Sequence, residues 1–163
     1  MSEERDGFRG YIASRPVRGT SYPQRVQNLV VRTYAQRNGL AFKLSLTEYA
    51  MRGSYMILAT LLDELPKLGG IIFFSMFMLP EKREQRLAVY ERVLAAGCTL
   101  HAALEETVLR SAADLPRFED TIAIAFALEH APLGGRIEKD GNPLPADDPF
   151  VQALTRVPSP SST

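Results

Sequence analysis

The chain lacks several features that would narrow its function at once. It has one cysteine among 163 residues, Cys98, and a single cysteine cannot form an internal disulfide. A reducing compartment fits this count best, so we expect a cytoplasmic protein. Cys98 is predicted to be a buried thiol that packs as a small apolar side chain, with a nucleophilic role as the alternative.

An excess of charge of one sign is also missing. Lys+Arg and Asp+Glu both number 19, so the net charge is zero. General nucleic-acid binders are usually basic, and the balance argues against nucleic acid as a partner while leaving room for a local basic patch. The N-terminal residues include no apolar segment of the kind found in signal peptides. The longest apolar run, 68–80, is too short to span a bilayer, so we expect no membrane partner.

Nucleotide and metal motifs are absent from the sequence. Neither the glycine pattern GxGxxG nor a P-loop occurs, which argues against the usual modes of dinucleotide and nucleotide binding. Two histidines and one cysteine, without clustered ligand spacing, give little support to a metal site. We therefore expect neither a metal nor a cofactor.

The sequence does contain a regular alternation of strand-like and helix-like segments. Four strands are predicted over residues 8–14, 40–49, 71–79 and 98–105, and four helices over 20–37, 53–65, 80–97 and 114–130. The inner face of the first helix is predicted to consist of Val26, Leu29, Val30 and Tyr34. The alternation predicts a three-layer α/β fold, resolvase-like or flavodoxin-like, with a mostly parallel four-stranded sheet and helices on both faces.

The length predicts one domain, which we place over residues 7–155. Residues 1–6 are predicted to be a loose N-terminus, and 156–163 a disordered tail rich in serine and proline. Glycine, proline and aspartate are dense after Pro132, and a short helix is predicted within 147–156.

The candidate ligand site lies where the predicted strands end. In an open parallel sheet, ligands bind beyond the carboxyl ends of the strands. Polar residues follow all four predicted strands, namely Ser14, Arg15, Arg18, Thr47, Glu48, Tyr49, Ser75, His101 and Glu105. The sequence therefore predicts a functional pocket at this edge, with ordinary solvated loops as the alternative.

Arg15 and Arg18 are the candidates for anion binding. Guanidinium groups match phosphate or carboxylate oxygens bidentately, and the start of the following helix adds backbone N–H donors. The alternative is a solvated loop or a structural ion pair with Glu48. Gln24 and Asn28, early in that helix, are further candidates for substrate binding.

Glu48 and Glu105 are the candidate pair for proton transfer, because partly desolvated carboxylates near arginines can be tuned for it. Ser14 is a candidate nucleophile, for which His101 would have to act as the base. The alternatives are helix capping or a salt bridge for the carboxylates, and a hydrogen-bonded core position for the histidine.

Two tyrosines, Tyr49 and Tyr55, are predicted either to stack on a sugar or base or to pack against the protein. The second histidine, His130, comes late in the last helix and is predicted to lie on the surface or to cap that helix.

Residues 8–106 resemble the catalytic domain of serine recombinases, or resolvases. The segments GYIAS, PQRVQNLVVRTYAQRNGL, LLDELPKLGGIIFFSMFMLP and LAAGCTLHAALEE follow in the order of that family. The resemblance implies a first strand with a tyrosine and a nucleophilic serine near the position of Ser14. The chain departs from the pattern at Ile12, where the family has an arginine, and at SMFMLPEKR, which replaces an aspartate–arginine pair.

The motifs GYIASRP, PQRVQNLVVR, TEYAM and ALEE also resemble the sporadic carbohydrate cluster protein family, over most of residues 9–106. Members occur among genes for surface or other unusual carbohydrates. The resemblance implies a role in carbohydrate biosynthesis and supplies no named reaction.

Three functions follow from these patterns. The first is an acid/base enzyme of carbohydrate biosynthesis, an epimerase, isomerase or lyase acting on a sugar phosphate or nucleotide sugar. The arginines would hold the phosphate, the two glutamates would move protons, and His101 or Tyr49 would position hydroxyls. The second is a non-catalytic subunit that forms a homodimer or binds a pathway enzyme through the apolar stretches 73–80 and 122–128. The third, which the charge balance disfavours, is a DNA recombinase relative.

Overall fold

The computed structural model describes residues 5–130, in which five strands form one sheet. The strands are β1 (Phe8–Ala13), β2 (Phe42–Glu48), β3 (Gly70–Phe73), β4 (Thr99–Ala102) and β5 (Thr107–Leu109). The helices are α1 (Gln24–Arg37), α2 (Met56–Glu64), α3 (Arg83–Ala95) and α4 (Leu115–Glu129). Short 3-10 helices lie at Leu65–Lys67, Met76–Met78 and Ala112–Asp114.

The sheet has the strand order β2-β1-β3-β4-β5, in which the first four strands along the chain are parallel. Crossovers between parallel strands are right-handed. The α1 crossover leads from β1 to β2, at one edge of the sheet. The crossovers through α2 and α3 lead in the opposite direction, from β2 to β3 and from β3 to β4. With the same handedness, α1 therefore covers one face of the sheet, and α2 and α3 cover the other. Helices α2 and α3 contact each other. The predicted three-layer, mostly parallel α/β fold is confirmed.

The sheet has one strand more than predicted, and its central strands end earlier. β3 ends at Phe73 because the hydroxyl of Ser75 accepts the Phe77 N–H at 3.2 Å and starts a 3-10 helix. β4 ends at Ala102, and the chain turns at Glu106, whose φ of 51° is left-handed. It then returns as β5, antiparallel to β4. An apolar run alone does not distinguish a strand from a buried turn.

The core forms along β1 and β3. All four residues of β3 are buried, and the ring of Tyr11 lies 4.7 Å from that of Phe73. Cys98 is buried directly before β4, as predicted, and its thiol lies 3.3 Å from the carbonyl oxygen of Leu65. Burial raises the pKa of this thiol despite the nearby Arg5 guanidinium, so it resembles a small apolar side chain more than a nucleophile.

The predicted inner face of α1 was right at Tyr34 and wrong at Val26, Leu29 and Val30. Val26 and Leu29 are 41% and 65% exposed, and the buried residues are Gln27, Val31, Tyr34 and Ala35. The cause is the amide of Gln27, which accepts the Ala13 N–H at 3.0 Å and donates to the Ala13 carbonyl at 2.8 Å. These two hydrogen bonds turn a polar residue inward and rotate the helix away from its apolar pattern.

The helices begin later than predicted. Val17 and Thr20 pair across a tight turn, so α1 begins at Gln24 after Pro23, with no side-chain cap from Thr20 or Ser21. α2 begins at Met56 rather than at Gly53, and α3 begins at Arg83 rather than at Pro80.

A buried ion pair joins α3 to the start of α4. Arg86, which is 8% exposed, donates to both carboxylate oxygens of Glu119 at 2.9 and 3.1 Å. It also donates to the carbonyl of Glu81 at 2.7 Å, while the hydroxyl of Tyr90 donates to Glu119 at 3.1 Å. Burial, and the Glu119 carboxylate after it, raise the pKa of Tyr90 and keep that hydroxyl a donor.

Contacts within the chain define two compact units, Met1–Asp120 and Thr121–Thr163. All five strands and the first three helices belong to the first unit. The structure describes the second unit over 121–130, where α4 ends. The predicted helix within 147–156 and the predicted tail lie outside the described residues, and the predicted domain extent stays a prediction. Within residues 5–130, no helix has the length and apolar character needed to cross a membrane.

Replacing Glu119 by Ala is expected to lower the free energy of unfolding by about 3 kcal/mol, because the nearly buried Arg86 loses its carboxylate partner. Chemical denaturation monitored by circular dichroism would measure the loss. The control is Asp63→Ala, which removes one member of the exposed Arg92–Asp63 pair, 3.0 Å apart. Exposed pairs contribute about 0–1 kcal/mol, so similar losses in both variants would contradict the structural role of Glu119.

Candidate functional site

The candidate site lies at the edge where the four parallel strands end. The chain runs from β1 outward to β2 and then returns past β1 to β3, so the strand order changes direction beside β1. Such a switch point is where open α/β sheets bind ligands. The Ser14 N–H donates to the Glu48 carbonyl at 3.3 Å, which joins the loops that follow β1 and β2.

Arg15 is fixed in this position by the loop that follows β2. Its Nη1 donates to the carbonyls of Met51, at 2.9 Å, and of Ser54, at 3.0 Å. Its guanidinium carbon lies 4.9 Å from the centre of the Tyr55 ring, at cation–π distance. The structure thus brings Arg15 and Tyr55 together, and the contact of Arg15 is with carbonyls rather than with the Glu48 carboxylate.

Glu48 caps α2 from the end of β2. Its carboxylate is fully buried and accepts the N–H groups of Tyr49 at 3.1 Å, Ile57 at 3.2 Å and Leu58 at 3.0 Å. The Tyr11 hydroxyl adds a fourth hydrogen bond at 2.8 Å, and burial followed by this contact raises the tyrosine pKa. A carboxylate at a helix N-terminus also interacts favourably with the helix dipole. All of these contacts occupy the oxygens that a general base would use.

Glu105 makes a similar set of contacts on the other side of the site. One oxygen accepts the Ser75 hydroxyl at 2.5 Å and the other accepts the Met76 N–H at 3.1 Å. The carboxylate therefore holds the turn after β3 against the turn after β4. The structure does not bring Glu105 and Glu48 to a shared partner.

His101 lies inside the sheet layer rather than at its open end. Nδ1 lies 2.7 Å from the Tyr34 hydroxyl, Nε2 lies 2.9 Å from the Thr99 hydroxyl, and the residue is 4% exposed. Burial, followed by the nearby Arg110 charge, lowers the pKa of His101 to about 4. The imidazole is therefore neutral at pH 7, and it is hydrogen-bonded to Tyr34 and Thr99 rather than to Ser14.

Ser14 is exposed at the end of β1, where Gln24 of α1 donates to its hydroxyl at 3.0 Å. An amide donor cannot remove the hydroxyl proton, so this contact orients the serine without activating it. Asn28, one turn further along α1, is half-buried.

Arg18 occupies a left-handed turn with φ of 49°, and its guanidinium carbon lies 4.6 Å from the centre of the Phe77 ring. Tyr49 follows Glu48 directly and is 52% exposed. Both side chains therefore belong to the same open edge as Arg15.

Comparison with known proteins identifies a similar fold. No protein-family model matches the chain, and no curated protein matches it. The N-terminal catalytic domain of the TP901-1 integrase is similar in structure, with a TM-score of 0.53 and 15% identity. The match covers 76% of this chain and 99% of that one. At this identity the likeness shows the fold alone.

The structural match confirms the resolvase-like fold that the sequence predicts. It supports the distant resemblance only, because nothing found supports the sporadic carbohydrate cluster family. Two positions at which the sequence departs from the resolvase pattern have structural roles here. Ile12 is buried in β1, and Met76–Met78 form a 3-10 helix.

Sequence reasoning singled out Arg15 and Arg18 at this edge but missed Arg25 and Arg52. The two arginine loops, defined as residues 14–25 and 49–56, contain four arginines and neither aspartate nor glutamate: Arg15, Arg18, Arg25 and Arg52. The whole-chain charge balance hid this pattern, although a count made loop by loop would have found it. Gln27 was also missed, and its spacing of four and seven residues from Val31 and Tyr34 is the signal that marks the buried face.

A cavity of about 340 Å³ lies away from the arginine loops, between α1 and the β4–β5 turn. It is lined by apolar residues that include Leu29 and Leu104, and by the exposed ion pair of Arg37 and Glu106, 3.1 Å apart. Its lining contains none of the site residues that the sequence predicts. Within residues 5–130, no group of three or more His, Cys, Asp or Glu is placed to hold a metal ion.

Glu48→Ala is expected to lower the free energy of unfolding by about 3 kcal/mol, because a buried hydroxyl and three N–H groups lose their acceptor. The shift in the urea midpoint measures the loss. Glu91→Ala, which removes an exposed carboxylate on α3, serves as the control and should leave the midpoint nearly unchanged. Equal midpoints for the two variants would show that the cap contributes little.

The stability of the protein is expected to fall between pH 7 and pH 5 because of His101. Its pKa is lower in the folded state, about 4, than the ordinary 6.5, so the unfolded chain takes up the proton first as the pH falls. The contribution present above pH 6.5 decreases by about 2 kcal/mol by pH 5. Urea unfolding of wild type and His101→Gln across this range tests it, with His130→Gln as the exposed control. A wild-type slope equal to that of His101→Gln would contradict the assignment.

Proposed function

We propose that this resolvase-like domain binds a phosphate-bearing ligand through Arg15 at the carboxyl end of its sheet. The observation that carries the proposal is the fixed guanidinium, which has two carbonyl acceptors within 3.0 Å and a tyrosine ring at 4.9 Å. A long flexible side chain loses much rotamer freedom when it is ordered, up to about 2 kcal/mol. Here the loop already restricts it before any ligand binds, which favours affinity.

The remaining donors of Arg15 suit a phosphate. The loop carbonyls accept from Nη1, so the Nε–Nη2 edge is the one left to present two parallel N–H groups to a bidentate oxyanion. The absence of carboxylates from the arginine loops adds to this preference, because no acidic side chain of these loops competes for the cation.

The contacts of the other candidates favour binding over acid/base catalysis. Glu48 and Glu105 use their oxygens to hold backbone N–H and hydroxyl groups, and His101 is hydrogen-bonded at both nitrogens. Proton transfer by these groups in a reaction of carbohydrate biosynthesis stays a prediction. Two sources of the phosphate share one chemistry, a sugar phosphate or nucleotide sugar and the phosphodiester of a nucleic acid, the second being suggested by the integrase domain of similar fold.

Arg15→Ala is expected to weaken phosphate binding at least tenfold, because a charge-assisted bidentate contact is lost. Isothermal titration calorimetry with glucose 1-phosphate, UDP-glucose and a short oligonucleotide measures the affinity and identifies the source. Arg15→Lys keeps the charge without the planar fork and should bind with intermediate affinity.

The control for charge is Arg92→Ala, on α3, which removes an exposed arginine paired with Asp63. It should leave the affinity unchanged. Thermal unfolding establishes that the Arg15 variants remain folded, since the substitution also removes two contacts to the loop after β2. Unchanged affinity in a folded Arg15→Ala protein would reject the role of Arg15.

A further inference from the structure

We propose that the ligand of the arginine loops is a single-stranded nucleic acid, with a base stacked on Tyr49 and a neighbouring phosphate on Arg15. The proposal rests on the proposed phosphate-binding function and specifies its ligand. The observation that carries it is the position of the exposed Tyr49, two residues before Met51, whose carbonyl accepts a hydrogen bond from Arg15.

The open shape of this edge favours a polymer over a small ligand. Sites for small molecules are concave and bury 70–90% or more of the ligand surface. Ser14, Gln24, Arg25, Tyr49 and Arg52 are all exposed, so the arginine loops present an open surface. The cavity described above, between α1 and the β4–β5 turn, includes none of them. An extended chain can bind an open surface through many separate contacts, whereas a sugar phosphate has few atoms with which to do so.

Tyr49 has the position and exposure of a stacking platform. Its backbone N–H is held by the buried Glu48 carboxylate at 3.1 Å, while its side chain keeps the residue 52% exposed. Met51, 68% exposed, lies two residues further along the same loop, and its carbonyl accepts from Arg15 at 2.9 Å. An exposed ring on the same short loop that fixes a cation matches the way that single strands are bound, by stacked bases and neutralised phosphates.

A single strand fits this pair of contacts better than a duplex does. Bases in a duplex are stacked on each other and offer no face to Tyr49, whereas every base of a single strand does. The neutral charge of the whole chain is compatible with this ligand, because Arg15, Arg25 and Arg52 are concentrated in two segments that contain no carboxylate. Stacking is tolerant of sequence, so we expect little preference among bases.

Fluorescence anisotropy at low salt tests the proposal with labelled dT15, labelled rU15 and a 15-base-pair duplex. Wild type is expected to bind the single strands more tightly than the duplex. Tyr49→Ala should weaken single-strand binding roughly tenfold, the effect of one lost stacked base. Tyr49→Phe keeps the ring and should bind as wild type does. The two single strands distinguish DNA from RNA as the source.

The matched control is Leu44→Ala, which truncates another exposed apolar residue, 69% exposed, in β2. It should bind as wild type does. Inorganic polyphosphate, added as a competitor, should displace the strands with an affinity that depends on Arg15 and not on Tyr49. If Arg15→Ala weakens polyphosphate binding but Tyr49→Ala leaves single-strand binding unchanged, the single-strand proposal fails and phosphate binding stands. If neither polyphosphate nor any strand binds, both proposals fail.

Discussion

The buried carboxylate of Glu48 is the interaction on which the geometry of this edge depends. It accepts the N–H groups of Ile57 and Leu58 in the first turn of α2, the N–H of Tyr49 and the hydroxyl of Tyr11, so it joins two strands and a helix at one point. The loop between Tyr49 and Ser54 begins and ends beside these contacts, and its carbonyls in turn hold Arg15. A buried negative charge without hydrogen bonds would be costly, and here four donors compensate it. The position of the Arg15 guanidinium thus depends on the hydrogen bonds that Glu48 makes at the end of β2.

The side chains that the sequence proposes for acid/base chemistry are engaged in contacts within the fold as well. Proton-transfer groups need a free lone pair or proton within reach of a ligand. In this protein the carboxylates of Glu48 and Glu105 accept hydrogen bonds from the fold, and the buried imidazole of His101 is hydrogen-bonded to the hydroxyls of Tyr34 and Thr99. Arg15, held by the loop after β2, and the exposed Tyr49 lie at this same edge of the sheet. These contacts support the proposed binding role, while proton transfer stays a prediction.

The sequence predicts the larger features of the fold because they depend on local patterns. The alternation of strand-like and helix-like segments and the apolar character of β3 are enough to predict a parallel sheet covered by helices on both faces. They also predict the edge where the strands end. The features that were missed depend on contacts between distant residues. The carboxylate that caps α2 belongs to Glu48, nine residues before Ile57 in the chain. His101 is hydrogen-bonded to Tyr34, 67 residues away. The buried face of α1 is set by the hydrogen bonds of the Gln27 amide to Ala13 of β1. β5 has only three residues, too few for any periodic pattern. The charge of the arginine loops is visible in the sequence, yet their proximity follows only from strand order.

The early end of β3 gives Gln27 a second significance. β1 pairs with β3 only as far as Tyr11 and Phe73, so the backbone groups of Ala13 extend past their neighbouring strand. The Gln27 amide, which has the same donor and acceptor as a peptide unit, completes that missing rung. One side chain of a helix thus acts as an extra residue of a strand. Insertions within the loop that leads to α1 should therefore be tolerated in evolution far better than a shift of the helix by a single residue. Such a shift would leave the N–H and carbonyl groups of Ala13 without the amide that pairs them.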